Sequence, residues 1–291
     1  MDGLPQPRTE LRDGHRFRVA VLLPETPLQT LLGAALRQAG AVPIAYDEAG
    51  LRKVADTRIA AAVVALPRAL TAELPRLQEA ATRLSHMPIL VYDAGALIAV
   101  PDLLAGDPAT RRFRFASPSS AERTTSEDVE WLVRAIPPCA LTWLVTFLVR
   151  DIPLLGRSYI AEFFWQLGMG PPGTKGGVAS AATALGTTRS ALEHLLKQKS
   201  SLPPPKELAE WLTLLLVTYA ARGLGLSAHQ ASADLGLDRH QLGRLQARLL
   251  RAYSAFALLP ASTQFDLALV AFAERCAVAP NRVVKVLRMV R

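Results

Sequence analysis

The chain has 291 residues, half of them apolar and a fifth charged, which allows two ordinary domains with separate cores and excludes wholesale disorder. Its net charge of +8 and isoelectric point near 9.9 favour a polyanionic partner, because lysine and arginine displace counterions from phosphates. Its two cysteines, Cys139 and Cys276, stand far apart with no histidine pair nearby, which excludes a disulfide framework and a zinc spacing and makes a cytoplasmic location the expectation.

Residues 1–15 are polar, without the apolar centre of a signal peptide, and read as a flexible N-terminus. From residue 16 the chain alternates apolar runs with helical periodicity. Arg16 to Leu23, Val42 to Tyr46, Ile59 to Leu66, Pro88 to Tyr92 and Arg112 to Ala116 read as strands. Thr30 to Gln38, Leu51 to Thr57, Ala72 to Leu84 and Glu127 to Ala135 read as the intervening and closing helices. Continuously apolar strands separated by helices imply a parallel, doubly wound sheet, so residues 16–136 form an α/β domain.

The order and size of these elements resemble a response-regulator receiver domain. Where such a domain carries clustered carboxylates after its first strand, only Glu25 stands. The third strand ends Leu66-Pro67-Arg68 in place of an acceptor aspartate, and Ser117-Pro118-Ser119 follows the fifth in place of a lysine. The resemblance therefore implies the fold without phosphoryl transfer: a degenerate receiver-like module for sensing or dimerisation. No Gly-rich phosphate loop follows the first strand, and no nucleophile elbow, metal-ligand pair or paired carboxylates accompany the strand ends. Asp93, followed by Gly95, reads as a turn residue, and His86 as a loop residue. The expectation is a protein that is not an enzyme and holds no cofactor or metal.

Ile136-Pro137-Pro138 predicts the end of the closing helix. Residues 137–177 then read as a helical connector with helices over Ala140 to Arg150 and Tyr159 to Gln166, followed by a loop from Gly168 to Gly177. The apolar stretch Ala140 to Leu148 is too short to span a bilayer, so no membrane partner is expected.

Residues 178–250 carry the functional signal. In VASAATALGTTRSALEHLLK, a helix to Leu185 stops at Gly186, and a second starts at the cap Thr188, with Ala181 and Ala182 small enough for a close crossing. Ala191, Leu192 and Leu195 form its predicted inward stripe. The pattern returns in SAHQASADLGLDRHQLGRLQAR, with Ser232 at the small position, Gly236 in the turn and Asp238 as cap. Between them, Pro203-Pro204-Pro205 opens a long apolar helix from Lys206 to about Gly223. Each unit has the helix-turn-helix pattern, with a second helix free to enter a major groove.

Two such units joined by one long helix resemble the AraC/XylS family of transcription regulators. Ala182, Leu185, Gly186, Thr188 and Leu192 carry the resemblance in the first unit, and Gly236, Leu242 and the Leu226-Ser227 entry in the second. Leu237 stands where the family has phenylalanine, and Leu214 to Val217 where its linker has arginine. The resemblance implies an all-α DNA-binding region whose contacts are Thr187, Thr188, Arg189, Ser190, His194 and Lys197 from the first unit. From the second it implies Asp238, Arg239, His240, Gln241 and Arg244. Arginine and glutamine suit base edges, and hydroxyls and lysine suit phosphates. The expected partner is double-stranded DNA, bound by a homodimer; the competing reading is a protein-binding module on a degenerate helix-turn-helix scaffold. Residues 251–291 read as a C-terminal helical extension, a third echo in which Ala273 is the small residue, Ala277 replaces the glycine, and Arg282, Lys285, Arg288 and Arg291 give a basic helix.

Overall fold

The structure is a computed structural model describing residues 16–22, 27–45, 59–66, 87–93, 111–116, 122–149, 151–171, 177–198, 201–251 and 255–290. Five strands, β1 (Arg18–Leu22), β2 (Val42–Ala45), β3 (Ala61–Leu66), β4 (Ile89–Asp93) and β5 (Phe113–Ala116), pair in the order β2-β1-β3-β4-β5. All four pairings are parallel, with Arg18 opposite Val42, Val19 opposite Ala61, Ala62 opposite Ile89 and Ile89 opposite Phe113. This 2-1-3-4-5 order is that of flavodoxin-like doubly wound sheets. Val19, Val21, Ala61, Val63, Leu90 and Tyr92 alternate along the strands to make one buried face. It is covered by Leu32 and Leu36 of α1 (Pro27–Gln38) and by Leu132 and Ile136 of α2 (Glu122–Leu148). The expected helices at Leu51 to Thr57 and Ala72 to Leu84 lie outside the described residues, as do Glu25, Pro67, His86 and Ser117 to Ser119.

The closing helix does not end at Ile136. Helix α2 runs on through Pro137 and Pro138 to Leu148, 27 residues in all. Each proline removes one backbone donor, yet the helix has two cores to lie on. Val129, Leu132, Val133 and Ile136 pack on the sheet, and Leu141, Leu144, Val145 and Leu148 enter the helical core. Pro138 is accommodated by α3 (Leu154–Met169), where a Cβ on Gly168 would fall 2.4 Å from the proline Cγ. The loop expected from Gly168 thus begins later, because Gly168 and Met169 complete α3. The apolar helix is also longer than the Ala140 to Leu148 stretch that the sequence marks as too short to span a bilayer. The segment Ser126–Leu148 is 23 residues of continuous helix with mean hydropathy 1.4, and 61% of its most apolar window is buried inside the protein.

The C-terminal part is helical. It comprises α3, α4 (Val178–Ala184), α5 (Arg189–Gln198), α6 (Pro205–Leu224), α7 (Ala228–Asp234), α8 (Arg239–Leu249), α9 (Ala261–Arg275) and α10 (Pro280–Val290). Helix α6 is its axis. Trp211 to Thr218 are buried without interruption, and the Thr213 and Thr218 hydroxyls donate back to the Ala209 and Leu214 carbonyls, both at 2.8 Å. A helix apolar all round belongs inside a core. The segment expected to link two units is therefore the centre around which both pack. Its C-terminal end also meets the sheet: the Phe17 N–H donates to the Gly223 carbonyl at 2.8 Å, and the Phe17 ring tilts on Tyr219 at 5.4 Å.

Candidate nucleic-acid interface

Helices α4 and α5 meet at Gly186 (φ 64°), and α7 and α8 at Gly236 (φ 67°), both in the left-handed region that glycine enters freely. In each joint three amides close the first helix. Leu185, Gly186 and Thr187 donate to Ala181, Thr183 and Ala182 at 3.0, 3.1 and 2.9 Å; Leu235, Gly236 and Leu237 donate to Ala231, Ala233 and Ser232 at 3.3, 2.8 and 2.8 Å. This is a Schellman ending. The same ending follows α1 at Gly40, so the turn alone assigns no role. What relates the two pairs is their lining. Ala181, Ala182 and Leu192 are buried in the first, and Ala231, Ser232 and Leu242 hold the equivalent positions in the second.

The second helix of each pair is capped as expected. The Thr188 hydroxyl accepts from the Ala191 N–H at 3.2 Å, and the Asp238 carboxylate from the His240 N–H at 3.1 Å. Helix α7 itself starts on a capping box, in which the Ser227 hydroxyl accepts from the Gln230 N–H and the Gln230 amide oxygen accepts from the Ser227 N–H. On α5 the inward stripe is Leu192 and Leu196, with Leu195 half-buried; Ala191, expected inside, is exposed. The difference is one of helical phase: 192 and 196 are one turn apart, and 191 lies on the adjoining face.

Of the predicted contacts, Thr188, Arg189, Ser190, His194 and Lys197 are exposed on one side of α5, and Thr187 is half-buried in the turn. On α8, Asp238, His240 and Arg244 are exposed and Gln241 is half-buried; the Arg239 side chain lies outside the described set. The cations are not equally available. Arg189 donates from Nε to Glu193 at 2.8 Å, one turn along the same helix, and that hydrogen bond holds the Glu193 carboxyl below the usual carboxylate range. Arg248 is tied to Glu210 on α6. Lys197 and Arg244 make no ion pair among the described residues.

The third echo has the same joint. Cys276, Ala277 and Val278 donate to Phe272, Glu274 and Ala273 at 3.0, 3.0 and 2.9 Å, and Ala277 adopts φ 53° without being glycine. Two of its cations are engaged within the fold. Arg282 donates to the Leu148 carbonyl at 3.1 Å at the end of α2, and the Lys285 ammonium sits 5.4 Å from the Phe147 ring centre. Arg288 is exposed and Arg291 lies outside the described residues.

Side chains missed by the sequence reading attach these helices to the rest. Arg111, before β5, pairs with Glu162 of α3; Gln166 donates to Glu162 at 2.8 Å, and Ser180 of α4 donates to Gln166 at 2.8 Å. Glu162 to Gln166 is a four-residue helical spacing, a legible signal, but their partners are distant in sequence. Against the sheet, Asp128 of α2 is buried and accepts from Arg114 Nε of β5 at 2.6 Å and from the Tyr92 hydroxyl of β4 at 3.3 Å. Burial pushes the Cys139 and Cys276 thiols up to about 12, so both remain protonated at neutral pH. No group of three or more potential metal ligands occurs among the described residues. No protein-family model, curated protein or solved structure matches this chain.

Proposed function

We propose that the chain is a sequence-specific DNA-binding transcription regulator that uses α4–α5 and α7–α8 as two helix-turn-helix units. The observation that carries this reading is the paired arrangement: two helix pairs with the same turn and the same lining, each presenting a capped second helix whose imidazole and cationic groups face solvent, with the Ser190 hydroxyl added on α5. The net charge of +8 supports a polyanionic partner. The receiver-like sheet acts as a non-phosphorylated sensing or dimerisation module, since Leu66-Pro67-Arg68 offers no acceptor carboxylate. The test is a mobility shift on DNA selected from a random pool. Alanine at Arg189 and Arg239 together costs roughly 1–3 kcal/mol of binding per base contact and relaxes sequence preference. Alanine at Lys197 weakens all sequences alike and makes the salt slope shallower by about one unit, as loss of a phosphate contact does. A folded Arg189/Arg239 double variant with unchanged affinity and specificity overturns the reading.

A second reading, a protein-binding module on the same scaffold, is favoured by the commitment of Arg189 to Glu193 and Arg248 to Glu210. Affinity that barely changes with salt selects it, because apolar docking releases few counterions.

A further inference from the structure

Between α1, α2, α6 and α7 lies a cleft of about 520 Å³, within the size range of small-molecule sites. We propose that it binds a small molecule with an apolar body and a protonated amine. The volume exists because small residues line it where helices face one another: Ala35 on α1, Ala220 on α6 and Ala231 on α7. Along α2 two ridges run side by side at four-residue spacing, one apolar (Val129, Val133, Pro137) and one polar (Ser126, Glu130, Arg134). An occupant thus meets an apolar wall and a polar edge at once.

The sign of the polar edge follows from the helix ends. Gln38 of α1, Leu224 of α6 and Asp234 of α7 are each the last residue of their helix, and all three line the cleft. A helix C-terminus carries up to about half a negative charge, reduced at α1 and α7 because Schellman amides occupy most of their terminal carbonyls. A fourth helix, α3, lines the cleft with Gly168, one residue before its end at Met169, but Arg134 donates to the Gly168 and Gly170 carbonyls at 3.3 and 3.0 Å and so matches that end. The cations nearest the other ends are turned away. The Arg37 guanidinium folds back beside Gly33, and Arg222 donates to Asp266 at 3.2 Å. Helix α7 has no basic residue in its last turn. Glu130 and Asp234, both exposed, add two carboxylates. In a chain of net charge +8 this is a locally negative concavity. A carboxylate ligand would face Glu130, Asp234 and three helix ends against the single positive charge of Arg134, which its hydrogen bonds to neutral carbonyls leave in place.

An occupant would bridge α1 and α2 to α7, the first helix of the second pair. An effect on DNA binding rests on the function proposed above, whereas binding of the amine does not. Calorimetric titration of the full chain at low salt uses tryptamine and phenethylamine as probes, with tryptophol as the uncharged counterpart and indole-3-propionate as the anionic one. Both amines saturate a single site, tryptophol binds roughly tenfold more weakly because it lacks the charge, and the propionate binds weakest. Glu130→Gln with Asp234→Asn brings tryptamine down to the affinity of tryptophol, and Ala220→Phe, if folded by circular dichroism, abolishes binding of both. The proposal is overturned by the absence of saturable binding of either amine, by unchanged tryptamine affinity in the carboxylate double variant, by tightest binding of the propionate, or by undiminished binding in a folded Ala220→Phe variant. Amine binding without any DNA binding removes the regulator reading and leaves this site standing; DNA binding without amine binding does the reverse.

Discussion

The two helix pairs α4–α5 and α7–α8 share a turn, a cap and a buried lining, yet they are anchored differently. The first is tied to α3: Ser180 reaches Gln166, and the Leu196 side chain packs against α3 at Gly156. The second is tied to α6 through Arg248 and Glu210, and its first helix walls the cleft. Their outer faces differ as well, since Arg189 is engaged by Glu193 on its own helix whereas Arg244 makes no ion pair among the described residues. Equal local geometry therefore does not produce equal surfaces. The turn and cap are set by backbone hydrogen bonds over a few residues, while the charge pattern depends on every side chain within a turn or across a contact.

The two leucines that fasten the second helices, Leu192 and Leu242, carry the largest expected effect. Leu192→Ala and Leu242→Ala each cost about 2–5 kcal/mol, as cavities at fully buried sites do. Urea denaturation of the two variants tests whether the pairs are equivalent; a loss below about 1 kcal/mol at one leucine only breaks the equivalence. The capping residues come next. Asp238→Ala and Thr188→Ala each lose about 1 kcal/mol, and Asp238→Asn loses much less, since asparagine caps about as well. Midpoints from the same denaturation series provide the measurement.

At the turns the expected effect changes sign between Gly186 and Ala277, which share the left-handed conformation. At Gly186 no atom lies within 4 Å of an added Cβ, so Gly186→Ala costs only the left-handed conformation, about 1 kcal/mol after the entropy gained by removing glycine. Ala277 already occupies that conformation, so Ala277→Gly is neutral to stabilising by up to about 1 kcal/mol. Destabilisation by Ala277→Gly on thermal unfolding contradicts this account.

The smallest effect is electrostatic. Arg275 donates to both oxygens of Glu207, at 2.9 Å to Oε2, and holds its carboxyl below the usual range. A depressed folded value contributes stability that is fully present above the unfolded pKa of about 4.3 and is lost as pH falls through the folded value. The pair is partly exposed, so the gain is a few tenths of a kcal/mol. Glu207→Gln lowers the melting temperature slightly at pH 7, and the gap to the parent closes on acidification below the carboxylate range. A gap independent of pH assigns the effect to packing instead.

Signals contained within a few residues were legible in the sequence itself. The central strands β1, β3 and β4 lie where β-branched and alanine runs predict them, because a buried parallel strand needs apolar side chains on both faces, and the edge strand β5 lies on the alternating Phe113-Arg114-Phe115-Ala116. Gly186 and Gly236 mark the turns, and Thr188 and Asp238 the caps, because a left-handed residue and a side-chain acceptor satisfy backbone groups only three or four residues away. The pairing of Arg189 with Glu193, four residues apart on one helix, was legible on the same terms. What tertiary structure alone decided depends on contacts made far along the chain. Pro137 and Pro138 stay inside α2 because the sheet and the helical core hold its two halves and Gly168 leaves room for a proline ring. Helix α6 is an axis because other helices surround it on all sides. The cleft, too, exists only because helices distant in sequence end at one place, bringing together negative helix ends and carboxylates that no stretch of the sequence contains by itself.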